Sequence, residues 1–178
     1  MTVALSTARV RLDLDIAFGE AVSPPAQEVE LPVLFGKPRP RLLAYRRETH
    51  IAEKCHAMVN LGMTNTRMKD FYDVWYLSRS CSFEGMDICD ALSATFNRRQ
   101  TEFPVAGLAV ALSDEFASDT AKNRQWNAFI GKARLRRSAD ALEQVILRLR
   151  EFLQPPLKVL AGRREFNCRW SPESGWTD

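Results

Sequence analysis

Between Val10 and Phe18 the apolar residues Val10, Leu12, Leu14, Ile16 and Phe18 alternate with Arg11, Asp13, Asp15 and Ala17. A period of two predicts a half-buried strand that ends at Gly19, with Asp13 and Asp15 sharing the face opposite the apolar one. Ala21–Ala26, with Pro24-Pro25, reads as a loop, Gln27–Leu31 as a second strand, and Arg41–Tyr45 as a short edge strand. From Thr49 the period changes. Ile51, Cys55, Met58 and Val59 recur at helical spacing, and after Gly62-Met63-Thr64-Asn65 a second helix carries Phe71, Val74 and Trp75 on its stripe, with Thr66 as its N-cap. Met86–Arg98 is a third amphipathic helix, with Ile88, Leu92 and Phe96 inward. Ser113–Phe116 and Lys122–Ile130 predict shorter helices, the latter turning Trp126, Phe129 and Ile130 inward. Ser138–Leu153 predicts a late helix capped by Ser138, striped by Ala141-Leu142, Val145-Ile146 and Leu149, and stopped by Pro155-Pro156. Arg148 and Arg150 then suit its C-terminal dipole. The segment 162–178 has no strong period and is expected to be irregular.

This pattern predicts an α+β protein: two or three strands, then a mostly helical region. With 178 residues, 46% hydrophobic and 26% charged, the chain has the composition of an ordinary globular protein. No apolar run approaches the length of a membrane span and no signal-peptide core is visible, so a cytoplasmic protein is expected. Cys55, Cys81, Cys89 and Cys168 form no CxxC pair, which argues against a zinc knuckle or a disulfide framework. His50 and His56 flank Cys55 without a second ligand cluster, and Cys55 is expected to be a buried free thiol. The net charge of +3 conceals an asymmetry, with 13 basic and 16 acidic residues up to residue 120 but 12 and 6 after it. A basic last third could attract RNA, although such an excess is usually a solvated surface.

Candidate chemistry gathers at the junction of the first two helices, which carries Lys54, Arg67, Lys69, Asp70 and Asp73. A lysine, an arginine and two carboxylates brought together at a helix junction suit a phosphate-handling site. The plainer reading is that Asp70 complements a helix dipole, that Lys54 covers apolar surface with its stem, and that the charges form surface ion pairs of little worth. Asp13 and Asp15 are likewise either an exposed polar face or oxygen ligands for Mg²⁺.

Taken together, LDLDIAFGE, ETHIAEKCHAMVNLGMTNTRMKDFYDVWYLSR and ATFNRRQTEFP resemble the AbiEii/AbiGii family of abortive-infection nucleotidyltransferase toxins, over about Arg9 to Leu153. The most specific part is the IAEK block followed by Thr66-Arg67-Met68-Lys69-Asp70 and Asp73. The resemblance implies a polymerase-β-type palm sheet over 1–47, a helical region over 48–154 that carries the Lys/Asp block, and an irregular tail over 155–178. It implies a toxin of a type IV toxin–antitoxin system acting in phage defence, which transfers NMP from NTP, with Mg²⁺, to an acceptor such as tRNA and has a cognate antitoxin. By resemblance Asp15 is the metal carboxylate and Lys54, Asp70 and Asp73 are catalytic. Lys54, Arg67 and Lys69 hold the nucleotide, and either aspartate is the general base or orienting group.

One departure matters. Family members open with a Gly-Ser (or Gly-Gly) phosphate-binding turn followed by a D-x-D pair on the adjacent strand. Neither precedes Arg9, and Asp13-Leu14-Asp15 only imitates the pair, since the AFGE that follows it fits the later palm strand better. The chain is therefore expected to be the N-terminally truncated, later part of such an enzyme and inactive alone. The competing expectation is a non-catalytic helical module that binds antitoxin or RNA.

Overall fold

A computed structural model describes residues 2–5, 8–11, 22–33, 38–104, 109–133, 135, 140–162 and 164–178. The described elements run β1 (Thr2–Leu5), β2 (Ala8–Arg11), β3 (Gln27–Glu30), β4 (Arg41–Ala44), α1 (Arg47–Leu61), a 3₁₀ turn (Gly62–Thr64) and α2 (Met68–Ser78). They continue with β5 (Phe83–Glu84), α3 (Gly85–Arg98), a 3₁₀ turn (Val110–Leu112), α4 (Asp114–Ser118), α5 (Thr120–Lys132), α6 (Leu142–Ala161), β6 (Arg169–Ser171) and β7 (Gly175–Thr177). The class is α+β.

The expected first strand is placed only in part. β2 pairs antiparallel with β1, and the stretch that holds Asp13 and Asp15 lies outside the described residues. β3 and β4 form a second antiparallel hairpin, Gln27 opposite Ala44 and Glu30 opposite Arg41. Exposed ion pairs from Arg41 to Glu30 (3.2 Å) and to Glu28 (3.7 Å) decorate it and add little. Thr49 Oγ1 donates to the Ser23 carbonyl (2.9 Å) and Arg46 pairs with Asp87 (2.8 Å), which ties the segments flanking this hairpin to α1 and α3.

The helices bury the stripes that their periods predict. α1 packs chiefly on α3 and α2 on α6. Ile51, Cys55 and Met58 meet Ile88, Leu92 and Phe96 in one core with Phe71, Val74, Trp75, Phe116, Trp126, Val145, Ile146 and Leu149. Each such side chain contributes about 1.5–3 kcal/mol by leaving water. Burial also pushes the Cys55 thiol up to about 12, which keeps it protonated and unreactive.

Two expectations fail in the last third, for one linked reason. α6 begins after Ala141, and Ser138 lies outside the described residues. The helix does not stop at Pro155-Pro156 but runs through both to Ala161. An interior proline normally costs about 3 kcal/mol because it orphans the carbonyl four residues back. The carbonyl orphaned by Pro156 is that of Phe152, and the Trp176 indole N–H donates to it at 2.9 Å. The donor comes from the segment expected to be irregular. That segment instead forms β6 and β7, added to β5 in the order β5-β6-β7 with Phe83 opposite Trp170 and Trp170 opposite Trp176. Trp170 is fully buried against Phe152 and Trp176, and Phe83 and Phe166 extend the cluster by packing on Phe152 and Trp176 respectively. Arg148 and Arg150 accordingly lie within α6, not in its last turn. Arg148 donates to the carbonyls of Ser78 (3.2 Å) and Pro172 (2.7 Å) and stacks over Trp170, while Arg150 donates to the Leu112 carbonyl and to Asp114.

The docked tail leaves no room at Gly85, whose N–H donates to the Cys168 carbonyl (2.8 Å). A Cβ there would stand 2.6 Å from the Cys168 oxygen and 2.8 Å from the Phe166 oxygen. Gly85→Ala is expected to lower the unfolding free energy by about 1–3 kcal/mol, since backbone must shift to admit the methyl. Urea denaturation followed by circular dichroism measures this.

Candidate active site

Lys54 leaves α1 on the flank of the buried Ile51, Cys55 and Met58 stripe, so its stem is packed and only 19% of the side chain is exposed. α2 starts at the far side of the turn, where Asp70 and Asp73 project from neighbouring positions three residues apart. Lys54 Nζ lies 2.7 Å from Asp70 Oδ1 and 2.8 Å from Asp73 Oδ2. Arg67 Nε is 2.8 Å from Asp70 Oδ2, and Lys69 Nζ is 2.6 Å from Asp73 Oδ2. Five of the six residues proposed from sequence thus converge on one cluster. The sixth, Asp15, lies outside the described residues.

Asn65 fixes the junction. It is fully buried, its amide donates to the Ala57 carbonyl of α1 (3.3 Å), and its Oδ1 accepts the Arg67 N–H (2.9 Å). The expected Thr66 cap is not formed: Arg67 occupies the N-cap position of α2 with no side-chain cap bond, and the short Asn65 amide serves that N–H instead. Behind Asn65, the buried Lys122 of α5 donates from Nζ to its carbonyl at 2.8 Å and lies over the Phe116 ring. Lys122 and Arg148, two of the basic residues counted in the last third, are therefore engaged by buried or part-buried backbone carbonyls, and Arg150 reaches from the Leu112 carbonyl to the exposed Asp114.

Burial alone would lower the Lys54 pKa, but the bonds from Asp70 and Asp73 outweigh it and raise it above the ordinary lysine range. Burial alone would raise that of Asp73, and Lys54 with Lys69 outweighs it and holds the carboxyl below the usual range. Both groups stay ionised at neutral pH. The plainer reading of surface ion pairs suits Lys69, which is largely exposed, but not Asp70, whose side chain is 6% exposed.

The cluster forms part of a cleft of about 250 Å³ lined by His50, Glu53, Lys54, His56, Ala57, Arg67, Asp70 and Arg99. His50, Glu53, His56 and Arg99 were not legible as site residues. His50 and Glu53 precede Lys54 on α1, and Arg99 enters through the packing of α3 on α1. Arg99 pairs with Glu53 at 2.6 Å, and His56 Nε2 bonds with Thr101 Oγ1 at 2.9 Å. Burial lowers the His50 and His56 pKa values, with Lys54 and Arg99 respectively adding to the effect. Between Arg99 and Thr101, Gln100 takes φ +50° at the end of α3, and its N–H and that of Thr101 cap the carbonyls of Asn97 and Phe96. Glycine suits this left-handed position better. Gln100→Gly is expected to stabilise the protein by about 0.5–1 kcal/mol, read as a higher urea midpoint at unchanged slope.

The described residues do not fit a Mg²⁺ ion. Among them no three His, Cys, Asp or Glu side chains gather to hold a metal, and the oxygens of Asp70 and Asp73 already face ammonium and guanidinium groups. No helix among the described residues is long and apolar enough to cross a membrane. The family described as "Nucleotidyl transferase AbiEii toxin, Type IV TA system" matches residues 1–148. No curated protein and no solved structure matches the chain.

Proposed function

We propose, from the premise that this chain belongs to the AbiEii family of nucleotidyl transferase toxins of type IV toxin–antitoxin systems, that the Lys54 cleft is the nucleotide-holding part of a nucleotidyltransferase site. The observation that carries this reading is the convergence of Lys54 from one helix with Asp70 and Asp73 from the next, at 2.7 and 2.8 Å, beside a cleft that Arg67 also lines. Transfer of NMP from NTP concentrates negative charge on the triphosphate and on the leaving pyrophosphate. An ammonium that stays protonated supplies the neutralising charge, and Arg67 supplies a second set of donors.

The two aspartates take different parts. Asp73, shared by two lysines and held below the usual carboxylate range, is a weak base and serves to orient Lys54. Asp70 lines the cleft itself, holds Lys54 through Oδ1 and Arg67 through Oδ2, and is assigned to meet the acceptor hydroxyl or the nucleoside once the triphosphate draws those cations away. The acceptor is an RNA such as tRNA, and an antitoxin is the cognate partner in phage defence. Asp15 is the carboxylate assigned to Mg²⁺, and no step is routed through the ion. The segment that carries Asp15 is assigned to the metal, and the helical region after it to the phosphates. The Lys54 cleft supplies the phosphate-holding part of the site, and the chain by itself holds nucleotide without transferring it.

The test uses the purified chain with tRNA, Mg²⁺ and each α-³²P NTP, together with photo-crosslinking by an azido-NTP. Crosslinking that unlabelled NTP competes away, with no label on tRNA, is expected. Labelled tRNA would overturn the inactivity, and absence of a competable crosslink would overturn the nucleotide site.

A further inference from the structure

The segment that follows α3 has no part in the reading above, yet it forms a wall of the same cleft. Arg99 and Thr101 grip α1 at two points one turn apart, Arg99 on Glu53 and Thr101 on His56. Gln100, held left-handed between them, sets the direction of both. Arg99 is thereby fixed alongside Lys54, which follows Glu53 on α1. Its pairing is incomplete. Only Glu53 Oε2 meets the guanidinium, while the buried Oε1 accepts no hydrogen bond among the described residues. A guanidinium carries five N–H donors, and a single carboxylate oxygen uses a small part of them. Arg99 is also about two-fifths exposed and lines the cleft.

We infer that Arg99 is a further polyphosphate-binding residue of this cleft, held in the absence of ligand by Glu53, whose carboxylate occupies the place of a phosphate oxygen. The inference rests on the reading of the cleft as the nucleotide site. Lys54, Arg67 and Arg99 then approach one anion from three elements, and a phosphate with several oxygens takes the guanidinium through two parallel bonds where Glu53 takes it through one. Glu53 competes with the ligand for Arg99, so its removal has the opposite sign from removal of Arg99. If the salt bridge only ties α3 to α1, any gain from removing the Glu53 charge persists when Arg99 is replaced as well; if Glu53 competes for Arg99, that gain is lost in the double variant.

The experiment is isothermal titration calorimetry of the whole chain with inorganic tripolyphosphate and with ATP at fixed low ionic strength, on the wild type, Arg99→Gln, Glu53→Gln, Arg67→Gln and the double variant Glu53→Gln with Arg99→Lys. Arg99→Gln is expected to weaken both ligands about tenfold, the loss of a charge-assisted contact. Glu53→Gln is expected to tighten them by about threefold, which follows from freeing the guanidinium. Tightening is a gain that no unfolded or loosened variant produces, and Glu53→Gln combined with Arg99→Lys, which keeps the charge but not the paired donors, is expected to lose most of it; a gain retained in full by the double variant would overturn the role of Arg99. Weakening by Arg67→Gln with no effect of Arg99→Gln, or no tightening by Glu53→Gln, would overturn the role of Arg99 and leave the nucleotide site standing. No binding by the wild type, or binding that neither arginine variant changes, would remove both.

Discussion

Replacing Trp170 with alanine is expected to lower the unfolding free energy by about 3–5 kcal/mol, the range for deleting a large buried aromatic. The indole is fully buried, its ring lies 4.7 Å from that of Phe152 and 5.3 Å from that of Trp176, and the Arg148 guanidinium stacks over it at 4.4 Å. Its N–H donates at 2.8 Å to the carbonyl of Ser78, the last residue of α2, and Arg148 donates to the same oxygen. The tail is thus bolted to the far end of the helix whose first turn carries Asp70. Trp170→Phe keeps most of the apolar volume but orphans part of the Ser78 contact, and about half of that loss is expected. Urea denaturation of the two variants measures both numbers, and an effect of Trp170→Ala below about 1 kcal/mol would mean that the tail is not docked.

Which parts of this fold can be read from the chain follows from how local their causes are. α1, α2 and α3 were legible because each carries its own stripe, and Ile51, Phe71 and Ile88 face the core as their spacing requires. β6 and β7 were not, because three residues are too few to display a period, and their partner Phe83 lies far back in sequence. The proline stop misled for a related reason: the rule that ends a helix at Pro155-Pro156 assumes an orphaned carbonyl, and the group that satisfies Phe152 belongs to Trp176. The site divides in the same way. Lys54, Arg67, Lys69, Asp70 and Asp73 sit on two consecutive helices joined by a tight turn, so local geometry alone brings them within reach. Arg99 stands in ATFNRRQTEFP, a stretch that sequence supplied with a resemblance but no role, and only the packing of α3 on α1 sets it beside Glu53. Asn65 and Lys122, which hold the junction from behind, left no signal, since a buried lysine on a short helix reads as a surface charge.

Lys54→Met is expected to cost about 2–4 kcal/mol at pH 7, because it strands two partly buried carboxylates that have lost their shared ammonium. The pH dependence distinguishes this cause from simple loss of packing. In the wild type Asp73 is held below its unfolded pKa of about 3.9, so its contribution is present above that value and is lost as the pH falls through the lower folded one. Lys54 is raised above its unfolded pKa of about 10.4, so its contribution is complete below that value and is lost as the pH rises through the higher folded one. The cluster therefore stabilises the protein across the whole neutral range. In the variant Asp70 keeps only Arg67 and Asp73 only Lys69, and protonation of Asp73 relieves part of the stranded charge. The gap between wild type and Lys54→Met should then narrow steadily as the pH is lowered from 7 toward 4. Adding Asp70→Asn to Lys54→Met should recover part of the loss, with a coupling of about 1–3 kcal/mol between the two positions. A gap that stays constant with pH, together with additive single effects, would mean that Lys54 and Asp70 are not a pair in solution, and the phosphate site built on them would fall with it.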